Sequence, residues 1–297
     1  MNSFTLPSFA KINLHLRVLG KRADGFHELF TVFQTVSLHD SISFNESDGL
    51  TLTCNRRFIP TGEKNLVVRA AGMLQKRLGA NRGAKMHLVK RIPSPGGLGG
   101  GSANAATALI GLSRLWGVRV SREDLLEMAA ELGSDVPFFL HGGTAIGTGR
   151  GTEIETIADI PREKLLIVTP NIRVSTPRAF AALGAQSLTM EEAERILIVC
   201  RLEAEKLDLR HSLLRNDIEA AVFAAHPEIE RVKRTLLELG AVNAMMSGSG
   251  ASVFAVFDKE ETRQATLKAL DKEVNWRKFA VAAVSRNEYR GIMGVGD

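Results

Sequence analysis

Five glycines in six consecutive positions constrain this chain more than any other feature: Gly96, Gly97, Gly99, Gly100 and Gly101. The full stretch is Pro93-Ser94-Pro95-Gly96-Gly97-Leu98-Gly99-Gly100-Gly101-Ser102-Ala103. Before it, Met86 to Ile92 alternates apolar and polar residues, as a half-buried strand does. After it, Ala103 to Trp116 is rich in Ala and Leu with no internal Pro, which predicts a helix stopped by Gly117. Glycines without Cβ atoms accept positive φ, so their backbone N–H groups can converge on an anion. The free N–H groups and positive dipole end of the following helix add to that pull. A strand, such a loop and a helix N-terminus together predict a site for a nucleotide's phosphates. No Gly-Lys-Ser/Thr closes the loop, which excludes a Walker A loop, and the glycine spacing fails the dinucleotide pattern.

Glycine placement is uneven along the whole chain. There are 27 glycines in 297 residues, where average usage would give about 21. Twelve sit in three clusters: the loop above, Gly142 to Gly151, and Gly248 with Gly250. The middle cluster reads as a turn between strands. The length suits two domains with sizeable cores. Strand and helix patterns occur in both halves without regular alternation, which predicts an α+β fold. The linker-like texture of Asp159 to Glu163 places a boundary near residue 160, dividing 1–160 from 161–297.

Several functions are excluded or made improbable by composition. No apolar run approaches the roughly 18 residues of a membrane span. Met1 to Ala10 lacks a basic region followed by an apolar run, so no signal peptide is expected. Cys54 and Cys200 have no metal-like sequence spacing and predict two small buried thiols in a reducing cytoplasm. The net charge is +5, but one Tyr, two Trp and no dense basic run argue against nucleic acid. A small polyanionic substrate suits that charge equally well.

Two further positions bear on chemistry. Ala10, Ile12, Leu14, Leu16 and Val18 predict one apolar strand face, with Lys11, Asn13, His15 and Arg17 on the other. Ser121 with Asp124 predicts the start of a helix that stops at Gly133, leaving Asp135 on a defined loop before Pro137. Phosphoryl transfer needs a cation to neutralise charge and a group that deprotonates the acceptor. Lys11 and Asp135 are candidates for those two roles, although a solvated Lys and a turn Asp are the commoner uses of each pattern.

The loop from Pro93 to Ala103 resembles the phosphate loop of the galactokinase–homoserine kinase–mevalonate kinase superfamily, the GHMP kinases. Ala10-Lys11-Ile12-Asn13-Leu14 and Ser247-Gly248-Ser249-Gly250-Ala251 resemble two further motifs of that superfamily, in the same order. The segments Arg22-Ala23-Asp24-Gly25-Phe26-His27-Glu28 and Gly133-Ser134-Asp135-Val136-Pro137-Phe138-Phe139 are similar to those of a branch that phosphorylates a diphosphocytidyl alcohol. The resemblance implies a two-domain kinase with its active site in an interdomain cleft. The first domain would bind ATP and the second would contribute to binding the small-molecule acceptor. By the same resemblance Asp135 is the base and Lys11 its cationic partner. Residues 93–103 would bind ATP, with Asn65 and Leu66 bordering adenine. Asn13, Phe26, His27 and Phe180 would bind the acceptor, His27 through cytosine. The resemblance also implies Mg²⁺ with ATP. Relatives hold that ion partly through a loop Ser, which is Gly101 here; Ser102 is its neighbour, and no metal ligand is assigned. Two departures stand out: Phe26 replaces a common Tyr, losing a phenol hydroxyl, and Pro95 replaces a common Gly, losing an N–H donor. The alternatives are another GHMP kinase, of homoserine or mevalonate type, and a non-catalytic nucleotide- or RNA-binding relative.

Overall fold

A computed structural model describes residues 3–80, 82–184 and 190–295. The first half of the chain contains β1 (Ser3–Lys21), β2 (His27–Asn45), β3 (Leu50–Cys54), α1 (Leu66–Leu78), β4 (Ala84–Val89), α2 (Gly100–Leu115), α3 (Arg122–Leu132), β5 (Thr144–Thr148) and β6 (Glu153–Thr156). The second half contains β7 (Lys164–Pro170), α4 (Thr176–Ala182), α5 (Met190–Glu205), β8 (Arg215–Asn216), α6 (Glu219–Ala225), α7 (Pro227–Glu238), β9 (Asn243–Met246), β10 (Val253–Phe257), α8 (Glu260–Ala269), β11 (Trp276–Ala282) and α9 (Arg286–Met293). A mixed sheet and an antiparallel sheet, with helices packed against them, make this an α+β fold. The first sheet runs β3-β4-β2-β1-β8, with β5 and β6 paired onto β2. The second runs β11-β7-β10-β9.

The halves are stitched together at two places. β8 belongs to the second half by sequence yet pairs in parallel with His15 and Leu16 of β1. After β11 the chain returns to the first half: Val284 N–H donates to Thr35 O, and α9 inserts Tyr289 and Met293 into the core built on α1, α2 and α3. Tyr289 is fully buried, and its hydroxyl donates to Phe139 O at 2.5 Å. Gly142 permits this approach, because a Cβ there would lie 2.3 Å from the Tyr289 ring. The sequence pattern predicts a strand at Phe279–Val284 as the last element; α9, with short apolar content between charges, lies beyond it.

β1 departs from the simple alternation. Residues 8–16 are buried throughout, so both faces are covered, and Lys11, Asn13 and His15 are 3%, 2% and 5% exposed. The register with β2 slips between Asn13 and His15. A bulge of this kind adds one unpaired residue and exchanges the faces beyond it. Ala10, Ile12 and Leu14 therefore pack in one cluster with Cys200, whereas Leu16 packs in another with Val174 and Ile218. The expectation that Ala10 to Val18 share one face fails at that bulge. The expectation of two buried thiols also holds only for Cys200; Cys54 is half-exposed at the end of β3.

Candidate active site

A cleft of about 890 Å³ opens between the two halves. Every residue from Pro93 to Ser102 lines it, with Lys11, Asn13, Phe26, His27, Leu66, Asp135 and Phe180. Asn65 and Ala103 do not line it. Asn65 caps α1 instead, its Oδ1 accepting from Val67 N–H at 2.9 Å and its Nδ2 donating to Pro60 O. Ala103 is 1% exposed and packs into the core beneath α2.

The glycine loop is shaped by close backbone approaches. α2 begins within the glycine run, at Gly100, so the free N–H groups of its first turn belong to loop glycines and Ser102. Gly97 and Gly99 have φ of 73° and 66°, in the left-handed region. A Cβ on Gly97 would lie 2.1 Å from Ser247 O. The loop is also tied to the Ala10–Leu14 segment and to the segment that begins at Ser247. Lys11 N–H donates to Leu98 O at 3.1 Å, and Ser252 N–H donates to Gly96 O at 3.1 Å. Ser247 Oγ donates to Gly97 O at 2.9 Å and accepts from Asn13 N–H at 3.3 Å. Behind the loop Asp40 is fully buried; it pairs with Lys90 and accepts from Arg91 and Ile92 N–H. Asn104 donates to the same carboxylate at 3.0 Å. A buried charge is tolerated when paired and hydrogen-bonded in this way, and here it pins both ends of the loop.

Lys11 and Asp135 meet in the cleft. Lys11 Nζ lies 3.3 Å from Asp135 Oδ2 and donates to Asn13 Oδ1 at 2.5 Å. Asn13 in turn donates to Thr31 Oγ1 at 2.7 Å, which fixes the amide so that its oxygen faces the ammonium. The Lys11 ammonium also lies 5.4 Å from the centre of the Phe33 ring. Asp135 follows α3, whose end is marked by Gly133, and retains 34% of its side-chain exposure. The arrangement offers an exposed carboxylate to accept a proton and a buried, fixed cation beside it.

The turn from Arg22 to Glu28 carries the other end of the cleft. Arg22 pairs with Asp24 and Glu28, and Asp24 accepts from Phe26 N–H at 3.1 Å. That backbone bond, ahead of the pairing with Arg22, holds the Asp24 carboxyl below the usual range. The turn presents Phe26, 51% exposed, and His27, whose ring stacks on Phe180 of α4 at 5.1 Å. Phe180 is thus a half-exposed wall of the cleft as well as a neighbour of the cluster that holds Leu16, Val174 and Ile218. Gly149 and Gly151 of the middle cluster lie in the β5–β6 turn, which brings Arg150 to the cleft, 4.7 Å over the Phe26 ring. Sequence reasoning missed Arg150; its sole signal was a cation inside an unexplained glycine cluster. Lys11, Lys21 and Arg150 against Asp135 leave the lining cationic.

Known proteins share this architecture and these motifs. Residues 65–143 match the GHMP kinases N-terminal domain, and residues 202–275 match the GHMP kinases C-terminal domain. The 4-diphosphocytidyl-2-C-methyl-D-erythritol kinase of Solibacter usitatus is 40% identical over 291 residues, covering 97% of this chain and 90% of that protein. A crystal structure of 4-(cytidine 5'-diphospho)-2C-methyl-D-erythritol kinase superposes with a TM-score of 0.76 at 30% identity, covering 94% of this chain and 99% of that one. Homoserine kinase from Cytophaga hutchinsonii shares the fold, with a TM-score of 0.71 at 21% identity, covering 96% of this chain and 95% of that one. Among the described residues no helix is long and apolar enough to cross a membrane. The chain belongs to the GHMP kinases and, within them, to the family of 4-diphosphocytidyl-2-C-methyl-D-erythritol kinases.

Proposed function

We propose that this protein transfers the γ-phosphoryl group of ATP to the 2-hydroxyl of 4-diphosphocytidyl-2-C-methyl-D-erythritol, a step in isoprenoid precursor synthesis by the non-mevalonate route. One observation carries the reading: the Lys11–Asp135 pair stands between the glycine loop at one end of the cleft and the Phe26–His27 turn at the other. Residues 93–102 cradle the triphosphate through backbone N–H groups and the start of α2. Pro95 contributes no donor to that cradle. Leu66 offers an apolar edge for adenine.

Asp135 accepts the proton of the acceptor hydroxyl as the oxygen attacks the γ-phosphorus. Lys11 offsets charge on the phosphoryl oxygens. Asn13 orients the Lys11 ammonium. Cytosine stacks on the aromatic walls formed by Phe26 and Phe180, and His27 offers ring nitrogens to its polar edge. Phe26 has a stacking face and no phenol hydroxyl, so this wall recognises the base by its π surface alone. Arg150 and Lys21 suit the acceptor's diphosphate.

Mg²⁺ carried on ATP fits the same cleft. Among the described lining residues Asp135 is the one carboxylate, and Ser102 supplies a hydroxyl at the first turn of α2. An octahedral ion that keeps several waters needs few protein ligands, and Ser102 would be one. When bound, the ion would neutralise phosphate charge.

The test is an acceptor panel with ATP held saturating. The reading predicts turnover with the diphosphocytidyl alcohol at a kcat/KM at least about 100-fold above that for homoserine or mevalonate. Turnover of homoserine or mevalonate with none of the diphosphocytidyl alcohol overturns it.

A further inference from the structure

The bulge in β1 removes His15 from the cleft. Leu16 lines the cleft, while His15 faces a separate cavity of about 380 Å³ beneath α5. There its side chain meets Cys200 and Glu203, three residues apart on one face of α5. The ligand atoms of all three lie within 4.8 Å of one another. His15 is 5% exposed, and its Nε2 is buried without a hydrogen-bond partner among the described residues. A buried polar atom left unpaired is costly, and its persistence asks for a partner.

We propose that His15, Cys200 and Glu203 bind one divalent cation of the zinc class, outside the catalytic cleft. The donor set of imidazole, thiolate and carboxylate is of the borderline softness that selects zinc over magnesium or calcium. A neutral imidazole, a thiolate and a carboxylate carry two negative charges, which balance the ion. Bond lengths of about 2.0–2.3 Å put tetrahedral ligand atoms about 3.3–3.8 Å apart. Rotation of Glu203, exposed on α5, closes the remaining gap, while Cys200 and His15 are held by packing. Three protein ligands leave a fourth position facing the cavity, for water.

Nearby charges permit the ion. Arg17 and Arg215 share the Asp217 carboxylate, at 3.4 Å and 2.7 Å, which offsets one of their two positive charges. Lys206 lines the rim of the cavity on a flexible stem. His15 Nε2 offers its lone pair to the ion, and the thiol proton passes to solvent as the cation binds. Bound metal would fasten α5 to β1, the strand that carries Lys11 and Asn13.

The test titrates the intact, reduced protein with Co²⁺ and then Zn²⁺. One equivalent of Co²⁺ is expected to give a near-ultraviolet thiolate-to-cobalt band that Zn²⁺ removes. Zn²⁺ is expected to raise Tm in the wild type. Cys200→Ser should abolish the band, while Cys54→Ser, at the other cysteine, should keep it. Glu203→Gln, on the exposed face of α5, should weaken Zn²⁺ binding about tenfold or more. Metal-free Tm and ADP production, measured for each variant, separate lost ligation from lost folding. Absence of the band in the wild type, or its survival in Cys200→Ser, overturns the proposal, as does an equal Zn²⁺ shift in all four proteins.

Discussion

Lys11 Nζ is held 2.5 Å from Asn13 Oδ1 and 3.3 Å from Asp135 Oδ2, with 4% of the Lys11 side chain exposed against 34% of Asp135. The ammonium is thereby fixed by a neutral amide, while the carboxylate beside it remains accessible to substrate. This asymmetry separates two jobs, holding charge and moving a proton, between two residues of different burial.

Asp135→Asn keeps the shape of the side chain and an oxygen for Lys11, yet removes the base. We expect kcat to fall at least about 100-fold, the scale of general-base loss, with ATP affinity little changed. Steady-state kinetics with a direct ATP-binding measurement checks this; near-normal kcat removes Asp135 from its role.

Lys11→Ala removes a charge that acts mainly as the phosphoryl group moves. Turnover should fall by roughly 100- to 1,000-fold, and ATP affinity by much less. Kinetics set beside equilibrium ATP binding decides. The reverse pattern would make Lys11 a nucleotide-binding residue.

His27 and Phe180 stack on one another at 5.1 Å at the acceptor end of the cleft. Stacking of a base on an aromatic side chain contributes about 1–3 kcal/mol. Phe180→Ala and His27→Ala should each raise KM for the diphosphocytidyl acceptor about tenfold and leave KM for ATP near its original value. Initial rates with each substrate varied in turn test the split.

Much of this site was legible before the fold was known, because its parts are local. The glycine run, the Lys11–Asn13 alternation, and Asp135 between Gly133 and Pro137 each follow from short-range backbone rules. What was hidden depends on contacts between distant segments. The bulge at Leu14 that turns His15 away from Lys11 is a property of β1 paired with β2, not of β1 alone. Arg150 reaches Phe26 only when the β5–β6 turn folds over the cleft. Asn65 carries a motif-like position but is used to cap α1. The return of α9 to the first core rests on Gly142 yielding space to Tyr289, a contact 147 positions apart in the chain.

Two glycines predict opposite outcomes for the same substitution. Gly97 has φ 73° and would set a Cβ 2.1 Å from Ser247 O, whereas Gly72 lies in α1 with nothing within 4 Å of a Cβ. Gly97→Ala should therefore cost more than the ~1 kcal/mol of left-handed backbone strain and also weaken ATP binding. Gly72→Ala should stabilise by roughly 0.5–1 kcal/mol. Thermal unfolding of both variants checks the contrast.

His141 adds a pH dependence to stability. Burial, with Arg122, Arg286 and Arg290 nearby, pushes its pKa from 6.5 down to about 4. Its Nδ1 faces the Arg122 guanidinium at 3.1 Å, as an acceptor that protonation would remove. The unfolded chain binds a proton between those values and the folded chain does not. Stability is thus full above about pH 6.5 and declines towards pH 4, by up to on the order of 3 kcal/mol. His141→Asn, with an acceptor oxygen and no titration, should flatten this part of the curve. Urea unfolding of both proteins at pH 7 and pH 4.5 measures the difference.

Acceptor-dependent phosphoryl transfer with Asp135 as base is tested by ADP formation in the wild type and Asp135→Asn, each with ATP, with and without 4-diphosphocytidyl-2-C-methyl-D-erythritol. The wild type should form ADP rapidly only when the acceptor is present, one ADP for each acceptor phosphorylated, and Asp135→Asn should bind ATP but form ADP at least about 100-fold more slowly. Acceptor-independent ADP formation, or equal rates in the two proteins, would contradict it.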